Sequence, residues 1–291
     1  MFLKRTIDNV LENMRGDTEI ISVLDGAWAD PVIPDHPKVV LVHFTTPVGQ
    51  RAATNVAARI SKAKYVMKLD AHCALDEGFD VKLMADMQDD FTMVPRLYNL
   101  HAFDWECKKC GDRTYQGPTP KICAKCEGDT FERFIVWKPR LNRKSDFMMF
   151  DRDLVFQYWR HFGKRPEAKP DIAPLMSSLG ACWMMKRRRF LYTYGGLDER
   201  HGSWGQMGTE IACKTWLSGG TQVVNKKTWY SHMFRTQGGD FGFPYKISGN
   251  EQERARKYSR DFWLNNKWKK AVRKFDWIID KFAPIPTWEA R

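Results

Sequence analysis

The sequence lacks any long apolar run. Nothing in its 291 residues approaches the roughly 18 consecutive apolar side chains of a membrane-spanning helix. It also lacks a secretory leader core, because MFLKRTIDNVLENM is charged throughout. No internal repeat and no low-complexity segment interrupts it. Cysteine is sparse, at seven, and four of the seven fall in two close pairs instead of a dispersed disulfide framework. These absences exclude a membrane span and point to a reducing, cytoplasmic setting. Acidic residues are in deficit, 35 against 47 Lys and Arg, for a formal charge of +12. That surplus favours polyanionic partners: nucleic acid, a membrane surface or phosphorylated substrates. A 43% hydrophobic content excludes wholesale disorder and allows one large domain or two modest ones.

What is present is an alternation of periods. Phe2 to Met14 reads as an amphipathic helix closed by Gly16, and Glu19 to Leu24 as a strand ending at Asp25-Gly26. After a loop held by Pro31, Pro34 and Pro37 come a strand at Lys38 to Phe44 and a helix opened by Gly49. A strand to Leu69, a helix over about 77–88 and a strand at Phe91 to Leu97 follow. Such alternation predicts an α/β fold with a mostly parallel sheet covered on both faces. Beyond it, Phe131 to Trp137 reads as a strand, Asp151 to Phe162 as a helix and Ser178 to Met185 as a strand. Lys186 to Tyr194 reads as a short helix, Gly208 to Ser218 as a helix, and Thr221–Asn225 and Trp229–Met233 as extended pieces. The division expected is a catalytic domain over 1–250, interrupted at 104–131, then a basic helical extension over 251–291 carrying Trp263, Trp268 and Trp277.

The interruption is CKKCGDRTYQGPTPKICAKC. Cys107, Cys110, Cys123 and Cys126 form two Cys-x-x-Cys knuckles with 12 residues between them. Four thiolates at this spacing can close a tetrahedral zinc site, and a loop with little core needs such a staple. Redox-active or idle cysteines are the competing reading.

KAKYVMKLDAHC runs from Lys62 to Cys73 and puts a carboxylate, Asp70, two residues before an imidazole, His72, where a buried strand ends. Ligands of open α/β sheets gather outside the carboxyl ends of strands. An oxygen and a nitrogen ligand suit a cation of intermediate softness such as manganese. Equally, Asp70 could cap the next helix while His72 packs.

Taken together, the motifs resemble those of GT-A fold, family 2 glycosyltransferases, most nearly the catalytic domain of the retaining polypeptide N-acetylgalactosaminyltransferases. LDAHC is similar to their metal motif, and Gly49 stands 21 residues ahead of Asp70 as their helix glycine does. GGLDERHGSWGQMGTEIACKTWLSGG, from Gly195 to Gly220, matches their Gly, Asp, Trp-Gly, Glu and Trp positions, and SHMFR matches their Gly-His-x-Phe-Arg segment. The resemblance implies a Rossmann-like sheet and a nucleotide-sugar donor, UDP-linked by analogy. It implies Mn2+ or Mg2+ on Asp70, His72 and His232, and leaves the four-cysteine zinc ribbon as an insertion with a structural Zn2+. It assigns donor contacts to Asp25, Gly49, Gly180, Ala181, Trp204 and Arg235, and a sugar or acceptor contact to Glu210. Arg51 is expected to replace a lost cation on the diphosphate, because the family's Ala-Arg-Asn reads Ala53-Thr54-Asn55 here. Met207 stands where the family has a first acid. Apart from the resemblance, Asp25 reads as a turn residue, His232 as a surface histidine, Glu210 as a solvated helix residue and Trp204 as core.

The function expected is sugar transfer to a hydroxyl of a macromolecular acceptor, a modified DNA base or protein Ser/Thr, the DNA case resting on nucleic-acid contact by the ribbon and the Trp-rich basic segment. The alternative is a nucleic-acid-binding zinc-ribbon protein on a catalytically dead transferase scaffold. The family pattern also predicts a strand ahead of Phe2, lying between the strands at Glu19 to Leu24 and Lys64 to Leu69. Either another segment fills that slot or the start codon is placed too late. Direct pairing of the two at about 4.8 Å would mean a rebuilt sheet.

Overall fold

The structure, a computed structural model, describes residues 1–234 and 249–288. Helix α1 (Phe2–Asn13) precedes strands β1 (Ile20–Asp25) and β2 (Val39–Phe44). Then come α2 (Gln50–Ile60), β3 (Tyr65–Leu69), β4 (Cys73–Leu75) and α3 (Phe79–Ala85). The long β5 (Phe91–Cys107) returns through β6 (Arg113–Tyr115) and β7 (Phe131–Arg140). A hairpin of β8 (Met148–Phe150) and β9 (Phe156–Tyr158) leads to β10 (Ile172–Pro174) and β11 (Cys182–Lys186). Helix α4 (Met207–Leu217), strand β12 (Thr221–His232) and helices α5 (Gly249–Leu264) and α6 (Asp276–Phe282) follow.

The α/β class holds, but the sheet is mixed where a mostly parallel one was expected. Its spine runs β10-β12-β5-β11-β3, with β4 on β12 and both β6 and β7 on β5. Strands β3, β5 and β12 share one direction, while β11 pairs antiparallel between β5 and β3. Hydrophobicity marks β11 as buried on both faces, and Cys182 to Met185 are all buried, but hydrophobicity carries no sign of direction. β1 and β2 form a separate parallel pair. β1 does not pair with β3, and among the described residues no strand lies in a sheet between them. Among the described residues neither the filled slot nor the directly rebuilt sheet is found.

Polar side chains on α1 explain its docking. Thr6 Oγ1 accepts from Cys73 N at 3.2 Å and Asn9 Oδ1 from Leu75 N at 2.8 Å. Both are buried, and they satisfy the edge of β4 that β12 leaves open. Nearly all of 151–162 departs from the expected helix. Asp151 Oδ1 accepts from the N–H groups of Asp153 and Val155, both at 2.9 Å, so the aspartate closes a turn into β9.

β5 is one continuous strand across the expected boundary at residue 104. Asn99 pairs with His232 on one side and Arg140 on the other, so the β5–β7 arm starts beside the last residue of β12. The C-terminal helices are not an extension either. Trp263, Trp268, Phe275, Ile278 and Phe282 are buried in the main core with Trp216. Among the described residues no helix is long and apolar enough to cross a membrane.

Candidate active site

Two strand ends bring the first ligand group together. β3 delivers Asp70, whose N–H donates to Ala181 O at 2.9 Å on β11's approach. His72 precedes β4, and β4 pairs with the end of β12 so that Cys73 stands opposite His232. Met233 N donates to His72 O at 3.1 Å, which closes that corner. His72 Nε2 and His232 Nε2 are 3.0 Å apart, and His232 Nε2 lies 3.3 Å from Asp70 Oδ2. An octahedral cation with bonds of about 2.1 Å has edges of about 3 Å. One ligand atom from each of the three residues lies within 4.8 Å of the others.

The donor set fits a divalent cation by its chemistry, one carboxylate and two imidazoles. His232 Nδ1 is buried and meets no hydrogen-bond partner among the described residues. The Asp70 side chain is 18% exposed. Burial pushes its carboxyl up, but the Lys68 ammonium and the His232 hydrogen bond outweigh that and hold it well below the usual carboxylate range. Asp70 caps no helix, since α3 begins only at Phe79.

The other expected site residues divide. Asp25 spends both oxygens on the backbone: Oδ1 accepts from Val48 N at 2.6 Å and Oδ2 from Gly49 N at 2.9 Å. It therefore fixes the entry to α2, which is more than the plain turn residue of an Asp-Gly pair. Gly49 has φ +89, and a Cβ there would meet Ser203 Cα at 2.9 Å, so glycine is required twice over. Gly180 likewise has φ +86 and backs onto α4, where a Cβ would come within 2.6 Å of Gly208 N. Its small size has a packing cause. Ala181 is buried beside it. Trp204 is half-buried in the loop ahead of α4, and Arg235 lies outside the described residues.

Arg51 and Glu210 require correction. Arg51 does not stand free for a diphosphate: its side chain is 1% exposed and Nε donates to Glu210 Oε2 at 2.8 Å. Its other nitrogens donate to the carbonyls of Gly202 at 3.2 Å and Gly205 at 2.6 Å. Glu210 is fully buried, and its Oε1 accepts from Lys214 at 2.8 Å and Asp198 N at 2.5 Å. Neither a sugar contact nor a solvated surface describes it. Burial raises its pKa, but Lys214, His201 and Arg51 outweigh burial and hold it far below the usual range. Met207, in place of the family's acid, packs in the core at 5% exposure. This buried ionic group pins the 198–205 loop to α2 and α4.

Sequence reasoning missed Lys68, Gln50, His201 and Lys214. A lysine inside an apolar strand was a readable signal for Lys68, and Lys214 stands one helical turn after Glu210. His201 and Gln50 gave none. A separate cleft of about 370 Å³, lined by Asn55, Arg59, Asp198, Lys214 and Lys270 among others, does not include the Asp70 group.

The four ribbon sulfurs also converge. Cys107 Sγ to Cys126 Sγ is 3.6 Å and Cys110 Sγ to Cys123 Sγ is 3.7 Å, close to the roughly 3.8 Å edge of a tetrahedron with 2.3 Å zinc–sulfur bonds. No disulfide forms, and Cys73, Cys182 and Cys213 are buried thiols.

Residues 2–112 match the family model described as Glycosyl transferase family 2. By structure the chain is similar to a solved GalNAc-T7, in a crystal with UDP, GalNAc and Mn2+, at a TM-score of 0.67 and 15% identity. The chain has the GT-A fold. That likeness covers 97% of this chain but 54% of the other, so the chain spans about half the length of the relative. The GT-A frame accounts for the place of the Asp70 group at the carboxyl end of β3.

Proposed function

We propose that the chain is a metal-dependent glycosyltransferase that moves a sugar from a nucleoside diphosphate donor, UDP-linked, to a hydroxyl of a macromolecule. The observation that carries this is the convergence of Asp70, His72 and His232, residues from two distant parts of the sequence, on one cation-sized position. The match to family 2 and the likeness to a structure holding UDP and Mn2+ support the donor class and the cation. Mn2+, or Mg2+ in its place, would be held by these three side chains and supply Lewis-acid stabilisation of the charge growing on the leaving diphosphate.

The chain's own contribution is placement. Gly49 and Gly180 allow close backbone approach to Ser203 and Gly208, and the Arg51–Glu210 group sets the height of the loop bearing Trp204 over the start of α2, where Gln50 N donates to Ser203 O at 3.1 Å. Hexosyl or N-acetylhexosaminyl transfer with retention is the part of the reading that rests on resemblance alone. A structural Zn2+ on Cys107, Cys110, Cys123 and Cys126 belongs to the same proposal, supported by the sulfur spacing, and a reducing cytoplasmic setting goes with it.

Among acceptors, a protein hydroxyl gains on DNA. Trp263 and Trp268 are core residues with 0% and 8% exposure, so they offer no stacking face to unpaired bases; of the three tryptophans expected there only Trp277 is half-buried, with the Arg273 guanidinium 3.8 Å from its ring. The dead-scaffold alternative loses support from an intact ligand group. Incubating the protein with a panel of nucleotide sugars, Mn2+, and peptide or hydroxylated-DNA acceptors, with products read by mass spectrometry, tests the proposal. Donor turnover that needs the cation and is lost in Asp70→Ala is expected. No donor cleavage with any sugar nucleotide, by a folded protein that takes up Mn2+, overturns it.

A further inference from the structure

Strand β3 carries a lysine into the wall of the ligand group. Lys68 is 9% exposed and stands two residues before Asp70. Its ammonium hydrogen-bonds Asp70 Oδ1. It also donates to Gly180 O at 2.9 Å and Ala181 O at 3.4 Å. An ammonium has three donors and no acceptor, so these three partners occupy it. Lys68 is therefore not a spare cation for a diphosphate.

The two oxygens of Asp70 live differently. Oδ1 takes Lys68 and also Gln50 Nε2 at 3.0 Å. Oδ2 takes neither and faces His232 Nε2 at 3.3 Å. Charge alone argues against a lysine here, because a cation beside a dication site opposes filling it. Its presence calls for an offsetting gain, and orientation supplies one.

We propose that Lys68 is a positioning residue that, with Gln50, keeps Asp70 Oδ1 occupied so that the carboxylate offers the cation Oδ2 alone. This rests on the metal-dependent reading above. A carboxylate that is not held can grip a cation through both oxygens, and the second grip would consume a position that water or a donor oxygen needs. Lys68 thereby also ties the ligand carboxylate to the Gly180–Ala181 segment, so that the two move together.

The test uses Mn2+ alone, titrated into the full chain and followed by the paramagnetic resonance of free ion and by water proton relaxation. Lys68→Met should bind Mn2+ about tenfold tighter, since an opposing charge is gone, and should show less relaxation because one bound water is lost. Lys68→Arg should stay near wild type in both. Gln50→Leu loosens the same oxygen without baring the buried carbonyls, and should reduce relaxation even if Lys68→Met fails to fold. Wild-type affinity and relaxation in every folded variant would overturn the positioning role. A wild type that takes up no more Mn2+ than Asp70→Ala is a different result: it defeats the metal reading itself, and this role falls with it.

Discussion

The two candidate ligand groups of this molecule are built in opposite ways. Cys107, Cys110, Cys123 and Cys126 sit within 20 residues at the tip of one hairpin arm. Asp70 and His72 meet His232 across 160 residues, through the pairing of β4 with β12. The first needs only a local turn pair. The second inherits its geometry from the whole sheet. Local chemistry is cheap to assemble and cheap to lose; the long-range site stands or falls with the core beneath it.

The sharpest way to break this comparison is Asp70→Ala. It should lower transfer by about a thousandfold or more while circular dichroism stays near wild type, and the melting temperature should fall less than in Glu210→Ala, because Lys68 keeps the carbonyls of Gly180 and Ala181. A collapse of the fold instead would mean that Asp70 is a structural tie, like Glu210. Glu210→Ala is the converse. It strands Arg51 and Lys214 in the core, and breaking a buried ion pair costs about 3–5 kcal/mol. Chemical denaturation should register that loss, with the 198–205 loop exchanging its amide protons fastest. A variant as stable as wild type would deny the buried group its role.

Chelation sharpens the local side. Removing metal from the ribbon should free the amides of residues 107–130 to exchange, with the central sheet still protected. Exchange spreading into β5 before Asn99 would show that the arm and the sheet unfold as one body. Loss of about one Zn2+ per chain in Cys126→Ser, read by elemental analysis, checks the stoichiometry.

The smallest effect is in pH. Glu210 is held below its ordinary value of 4.5, so its contribution to stability is present above that pH and is lost as pH falls toward the folded value. His201 is lowered from 6.5, by burial first, and the unfolded chain therefore takes up its proton more readily than the folded one. Both groups make acid destabilising, His201 first, below about pH 6.5, and Glu210 below about 4.5. Melting temperatures should fall in that order on acidification. A flat profile from pH 7 down to about 3 would remove the charged state of the buried group from the account.

Periodicity by itself determined the elements around the site: α1, β1, α2, β3 and α4 stand within a few residues of where apolar spacing and Gly49 put them. The Cys-x-x-Cys pairs were equally legible, because ligand spacing along a turn is a local quantity. His232 was readable only through resemblance, since nothing local distinguishes a ligand histidine at a strand end from a surface one. The tertiary structure alone decided three things. It set the antiparallel direction of β11, because burial on both faces is the same whichever way a strand runs. It made Arg51 and Glu210 partners across 159 residues, which removes both from the donor and turns two candidate polar contacts into one buried clamp. And it drew Trp263 and Trp268 inward, because an aromatic side chain spaced for a helix face can cover a core or meet a ligand. Which of these it does depends on what the rest of the chain has left uncovered.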